Sequence, residues 1–305
     1  MGDLDPAALT ERVLRLGRSQ PLSRMTTDEL ALLALAGREV TYTRRTVLVP
    51  AEDRASALYV PLTGRLRAVR GGQAVAGDPI RDFYGGTSLL SRSVISADVV
   101  AEPGTALFVL DRDVFLALLE EHGALARSML HHLTRRLIEL RDTAVITSGV
   151  RAGGEQSKFT SSDLLSRMSL LRDALGVESR TLPVIAQLAR ATHVRHSTAG
   201  EVLWEPSSEA ARFAVTARGV VELRRNGLVV GRIRVGEGVG MAEAVAKAPV
   251  NYSGVATEET TTFELSCAEM QEAIEDHDDF CLDLIRVISL ELHKRMFGAL
   301  VVSNA

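Results

Sequence analysis

At 305 residues the chain is long enough for two domains of ordinary size. A hydrophobic content of 46% and a charged content of 24% exclude extended disorder, and a net charge of -4 supplies no electrostatic reason for nucleic-acid or anionic-membrane binding. The two cysteines, Cys267 and Cys281, stand in no metal-like or redox-like spacing and read as buried thiols of a reducing compartment. The N-terminus, MGDLDPAALT, has no basic stretch followed by an apolar run, and no apolar run approaches the ~20 residues of a membrane helix. A soluble, cytoplasmic protein is expected, without nucleic acid or membrane insertion.

Pro6 to Leu16 carries Leu9, Val13 and Leu16 at the spacing of one helical face. A second helix is predicted from Thr26 or Thr27, with Leu30, Leu33 and Ala34 inside, ending at Gly37. From Val40 to Leu110 the texture changes to short β-rich runs, TYTRRTVLV, SALYVPL, GRLRAVR, SADVVA and ALFVL, divided by tight turns. That is the pattern of an antiparallel barrel or sandwich. Helical period returns at Asp111, first in DRDVFLALLEEH and then in a long helix expected from about Ala124 to Thr147. The polar, glycine-bearing stretch Ser148 to Phe159 reads as a boundary, which sets domains at 1–147 and 159–305 with a linker at 148–158.

Beyond the boundary the plan repeats. A shift of 155 positions lays the first half on the second without a gap: Val47 on Val202, Val60 on Val215, Gly64 on Gly219, Gly72 on Gly227, Gly85 on Gly240, Phe108 on Phe263, His122 on His277. Glycines that recur at turn positions mark backbone geometries that other residues meet only at a cost. The chain is a tandem duplication of a helix–helix–barrel–helix unit, too short in copy number for a solenoid.

Each half resembles a cyclic nucleotide-binding domain, the module of the catabolite activator protein and of the regulatory subunits of cAMP-dependent protein kinase. The stretches that carry the resemblance are TVLVPAEDRASALYVPLTGRLRAVRGG, DFYGGTSLL, SADVVA and LFVLDRDVFLALLEEH in the first half. In the second they are AGEVLWEPSSEAARFAVTARGVVELRRNG, GEGVGMAEAV and VATEETTTFELSCAEMQEAIEDH. The implied fold class is α+β, two tandem cyclic nucleotide-binding-like β-barrels of the jelly-roll kind, each flanked by helices.

In that family the ligand sits in a phosphate cassette. A glycine precedes a glutamate that accepts from the ribose 2′-hydroxyl, a small helical turn donates N–H groups, and an arginine about nine residues further on pairs with the phosphate. A buried monoanion needs a fixed cation and aligned donors, and arginine supplies both charge and fork geometry. In the first cassette Gly85 matches the glycine and Gly86 stands at the glutamate position. Thr87, Ser88, Leu89 and Leu90 form the turn, and Ile95, before Ser96, stands at the arginine position. In the second, Gly240 matches the glycine, Met241 replaces the glutamate, and Ala242, Glu243, Ala244 and Val245 form the turn. Val250, before Asn251 and Tyr252, replaces the arginine. Both copies lack both anchors, and losing one partner of a buried charge pair costs about 3–5 kcal/mol. Two substitutes remain open: Arg92 or Arg81 swinging toward a phosphate in the first cassette, and Glu243 as a shifted carboxylate in the second.

His193 and His196, three apart, have the spacing of a metal pair if helical, but no third ligand is nearby. His131 and His132, among Arg127, Arg135 and Arg136, read as a solvated basic face, and His122 and His277 as turn or cap residues. Arg44-Arg45-Thr46 mimics a kinase site but falls in a predicted strand. The cupin-type HxH pattern, the nucleophile elbow and the P-loop are absent, so no enzyme is expected. Neither a DNA-binding regulator of the activator type nor a kinase regulator with an RRxS segment is expected.

Leu130, Leu133, Leu137, Leu140 and Ala144 follow coiled-coil spacing, which points to a homodimer seam. In the second copy the matched positions are Ile285, Ile288, Leu292, Arg295 and Ala299. The apolar tail, Met296 to Val302, either packs on its own barrel or docks a partner. The expectation is a non-enzymatic regulatory protein with degenerate cassettes, no cofactor and protein partners. Its alternative is a sensor of cAMP, cGMP or a cyclic dinucleotide that regulates a partner.

Overall fold

The computed structural model describes residues 5–19, 22–75, 84–140, 163–178, 181–206, 212–297 and 301–302. The expected linker 148–158, together with Arg81, Ala144 and Ala299, lies outside them. By compactness the chain divides into unit 1, Met1–His132 with Ser289–Ala305, and unit 2, Leu133–Ile288.

Unit 1 begins with helix α1 (Pro6–Leu16), whose first residue is a proline that needs no hydrogen-bond partner there, and α2 (Thr27–Ala36). A reciprocal capping box starts α2: Thr26 Oγ1 accepts from Glu29 N, and Thr26 N donates to the Glu29 carboxylate. Arg12 donates to the carbonyls of Ala34 (2.8 Å) and Gly37 (3.1 Å), which ties α1 to the end of α2. The strands follow: β1 (Arg38–Tyr42), β2 (Thr46–Val49), β3 (Ala57–Thr63), β4 (Leu66–Arg70) and β5 (Gln73–Ala74). After a short helix α3 (Gly86–Ser91) come β6 (Val94–Ile95), β7 (Asp98–Ala101), β8 (Thr105–Asp111), α4 (Arg112–Glu121) and α5 (Gly123–Glu139). One antiparallel sheet has the order β1-β8-β3 and another β2-β7-β4-β5. Leu58, Val60, Leu66, Val99, Phe108 and Leu110, from both sheets, are almost fully buried, and the Phe108 ring lies against Gly37 at the end of α2.

Unit 2 repeats the order with α6 (Leu164–Leu175), α7 (Leu182–Ala191), β9 (His193–Ser197), β10 (Val202–Trp204), β11 (Phe213–Arg218), β12 (Val221–Arg225), β13 (Leu228–Ile233) and β14 (Gly238–Val239). It continues through α8 (Met241–Ala246), β15 (Ser253–Ala256), β16 (Thr260–Leu265), α9 (Cys267–Asp276) and α10 (Asp278–Phe297). Its sheets run β14-β11-β16-β9 and β10-β15-β12-β13. The chain returns to unit 1 at Ser289, within α10, and a last strand, β17 (Val301–Val302), pairs with β6.

The 155-residue shift carries element onto element, β4 onto β12, α3 onto α8, β7 onto β15 and α4 onto α9. Matched turns share backbone geometry: φ is +79° at Gly64 and +81° at Gly219, +83° at Gly72 and +78° at Gly227. The fold is α+β, with antiparallel two-sheet units flanked by helices.

Three sequence expectations are corrected, those for Arg44 and Arg45, for His132 and for the leucine seam. Arg44 and Arg45 lie between β1 and β2, not within a strand, because the TYTRRTVLV run bends there. His193 and His196 sit on strand β9, where residues three apart point to opposite faces, so they cannot share a metal. His132 is buried and not part of a solvated face. Leu130, Leu133 and Leu137 are each at most 2% exposed within the single chain, so these three side chains pack inside it and are not open to a second copy; Leu140 is partly exposed. The long helix is described to Glu139, and its expected continuation toward Thr147 lies outside the described residues. No described helix is long and apolar enough to cross a membrane.

Candidate functional site

The first cassette hangs from strand β3. Tyr59 and Tyr84 exchange two backbone hydrogen bonds (2.8 and 2.9 Å), which fixes the entry to the glycine turn. Gly85 then takes φ +104°, and a Cβ there would collide with the carbonyl oxygen of Ala57. Only glycine meets both conditions. The turn winds into α3, with the Gly85 carbonyl accepting from Leu89 N (2.6 Å) and Ser88 Oγ (3.2 Å). Gly86, Thr87, Ser88, Leu89 and Leu90 are all buried. Burial pushes the Tyr84 hydroxyl up to about 12, an effect that its hydrogen bond with Ser88 partly offsets.

The exit is equally closed. Arg92 caps α3 in the left-handed conformation (φ +56°) and is exposed. It forms no hydrogen bond or ion pair among the described residues. Ile95, at the arginine position, is 2% exposed, and its carbonyl accepts from Glu52 N at 2.8 Å. Ser96 accepts twice from Arg70, its carbonyl from Nε at 2.8 Å and its hydroxyl from a terminal nitrogen.

One residue that sequence reasoning did not single out reaches this turn. His293, on the end of α10, is fully buried, and its Nδ1 lies 3.3 Å from Thr87 Oγ1. Burial lowers its pKa to about 4, against a smaller opposing contribution from a hydrogen bond with the Val94 backbone. The imidazole is therefore neutral at pH 7. No local signal marks it, since its partner is 206 positions away.

The second cassette follows the same backbone with different filling. Gly240 takes φ +89°, and a Cβ there would strike the carbonyl oxygen of Arg212. Helix α8 is buried along its length, from Met241 and Ala242 through Glu243 to Ala246. Its carbonyl end is held from α9: Gln271 Nε2 donates to Ala244 O (3.0 Å) and Val245 O (2.9 Å), and Cys267 Sγ donates to Ala244 O (3.3 Å). Lys247 repeats the left-handed cap of Arg92, at φ +52°. Val250 packs against a cluster containing Leu203, Leu223, Val239 and Tyr252, beside Trp204. The Trp204 ring lies over Gly254, where any Cβ would meet it. Asn251 Oδ1 accepts from Arg225 at 2.8 Å.

The Arg225–Asn251 bond is the 155-shifted image of Arg70–Ser96. Each arginine ends the strand before the glycine hairpin and holds the residue next to the cassette's arginine position. This pairing was recoverable from the repeat and was missed because family patterns place the important arginine elsewhere. Among the described residues no arginine or lysine is buried, and no group of three or more His, Cys, Asp or Glu could hold a metal ion. His122 and His277 cap α4 and α9, and His277 also bonds Gln187 Oε1 at 2.8 Å.

No family model matches the chain, and no curated protein sequence matches it. Among solved structures it is similar to the regulatory domain of Toxoplasma gondii PKA with cAMP, at 16% identity over 90% of this chain and 96% of that one, with a TM-score of 0.35. It is similar also to the regulatory subunit of a cAMP-independent protein kinase A from Trypanosoma cruzi bound to guanosine, at 17% identity over 90% and 89%, with a TM-score of 0.35. The N-terminal domain of a transcriptional regulator from Streptomyces coelicolor A3(2) is similar at 20% identity over 43% of this chain and 94% of that one, with a TM-score of 0.36. Both halves of the chain present the same order of elements, two helices, antiparallel strands, a short buried helix, further strands and two helices.

Proposed function

We propose that the chain is a non-enzymatic regulatory protein whose two cassettes have lost cyclic-nucleotide binding and which acts through contacts with other proteins. The observation that carries this reading is the filling of the two anchor positions in each copy: Gly86 and buried Ile95 in the first, buried Met241 and half-buried Val250 in the second. A cyclic phosphate would enter either cassette without a buried cation to meet it, and uncompensated burial of charge is strongly unfavourable. Arg92, the one candidate substitute in the first described turn, is exposed. The protein-contact part of the reading draws support from edge strand β13, whose Leu228 and Val229 are 72% and 50% exposed. Main-chain pairing with a partner strand would cover such an edge.

The test is a thermal-shift and calorimetric titration of the full chain with cAMP, cGMP and a cyclic dinucleotide. A flat response at millimolar ligand is expected. Saturable stabilisation that Arg92→Ala abolishes would overturn the reading in favour of a nucleotide sensor, because ligand binding raises stability by mass action.

A further inference from the structure

We propose that the first cassette is a peptide site, and that its occupant comes from the chain's own C-terminal part, the end of α10 from Ser289 to Phe297 and strand β17 (Val301–Val302). The inference rests on the reading above that this cassette no longer serves a nucleotide, and it names what serves there instead. Two separate contacts carry it. The first is the approach of His293 Nδ1 to Thr87 Oγ1 at 3.3 Å, with Thr87 8% exposed and His293 fully buried. The second is main-chain pairing of β17 with β6, with Val301 opposite Ile95 and Val302 opposite Val94.

These contacts fall on the two parts of the cassette that a nucleotide phosphate would need. Thr87 belongs to the small turn whose groups would face the phosphate, and β6 contains Ile95, which stands at the arginine position. A helix end with a neutral imidazole suits the first, since a hydroxyl can donate to or accept from it without charge. An extended strand suits the second, since it adds main-chain pairing along β6 beside the bond that the Ile95 carbonyl accepts from Glu52 N. An arginine at 95 would place a cation beside this apolar pairing; isoleucine has a high strand preference and no charge to solvate. The substitution that removes the nucleotide anchor thus also makes the site fit for a peptide strand.

The experiment is hydrogen exchange on the full chain, on His293→Ala, on Val301→Pro and on a chain lacking 298–305, read at residues 84–97. The expected result is exchange of the Gly86–Ile95 segment faster by about tenfold or more in the three variants, with strands β11 and β16 unchanged. Adding a synthetic peptide of residues 289–305 to the shortened chain should restore slow exchange. Unchanged exchange in all variants would overturn the proposal. So would loss of protection throughout the chain, which would make the segment a general part of the core and not an occupant. Sedimentation of the wild type reads the source of the segment: a monomer with a protected cassette is expected, whereas a dimer whose protection falls on dilution would assign the occupant to a second copy. Saturable cyclic-nucleotide binding together with the expected exchange pattern would overturn the functional reading alone, and a flat titration with unresponsive exchange would overturn this inference alone.

Discussion

His293 and Thr87 lie 206 positions apart in sequence, and their side chains meet at 3.3 Å in a buried setting. The imidazole there is neutral at pH 7, since burial lowers its pKa to about 4. This contact sets an uncharged imidazole from the chain's own helix against the glycine turn.

The contact makes stability depend on pH in a stated direction. Unfolded, His293 takes up a proton near pH 6.5, its ordinary value; folded, it does so only near pH 4. Between those values the unfolded chain holds more protons, so stability is full above about pH 6.5 and is lost as pH falls toward 4. The loss should be on the order of 3 kcal/mol. Chemical denaturation of wild type and His293→Phe at pH 7.5, 5.5 and 4.5 measures it. The gap between the two proteins should shift in favour of the variant as pH falls, and a constant gap would show that the imidazole is not buried neutral.

Gly85→Ala and Gly240→Ala should each destabilise by about 2–4 kcal/mol, from left-handed strain plus the collision with the carbonyl of Ala57 or Arg212. Gly71→Ala and Gly72→Ala meet nothing within 4 Å and carry only the strain of positive φ, so about 1–2 kcal/mol is expected. Urea midpoints compare the pairs. Equal losses at all four sites would remove the close-approach explanation for the cassette glycines.

Leu137→Ala should cost about 2–5 kcal/mol, because the side chain is 1% exposed, and should leave the sedimentation coefficient of the folded protein unchanged. A dimer seam would give the opposite pattern, with small loss of stability and a concentration-dependent change of mass. Equilibrium sedimentation and thermal melts on the same sample distinguish the two.

Introducing a cation by Ile95→Arg should not confer nucleotide binding. The position is 2% exposed and sits on the strand paired with β17, so the guanidinium would be buried without a partner. A loss of about 3 kcal/mol or more is expected, read by denaturant unfolding with and without millimolar cAMP. Stabilisation of the variant by cAMP would mean that the cassette is still open to nucleotides.

Much of the architecture was legible along the chain because it depends on local chemistry. The duplication shows in Gly64 and Gly219, or Gly72 and Gly227, since a turn that needs positive φ selects glycine wherever it recurs. The helix starts at Thr26 and Ser266 follow from capping boxes confined to four residues. The identities at the anchor positions, Gly86 and Ile95, Met241 and Val250, are likewise plain from the register.

Other features depended on what the chain meets at a distance. A run of leucines spaced for a helical face has the same pattern whether it meets a second chain or its own core, and burial of Leu130, Leu133 and Leu137 decided for the core. Two histidines three apart face together on a helix and apart on a strand, and the pairing of His193 with Glu264 and His196 with Thr261 decided for the strand. Sequence by itself determined the glycine turn at Gly85 and the uncharged residues Gly86 and Ile95 on either side of its helix. Only the tertiary structure brought His293 to Thr87 and β17 to β6, because contacts between residues so far apart leave no periodicity or spacing to read.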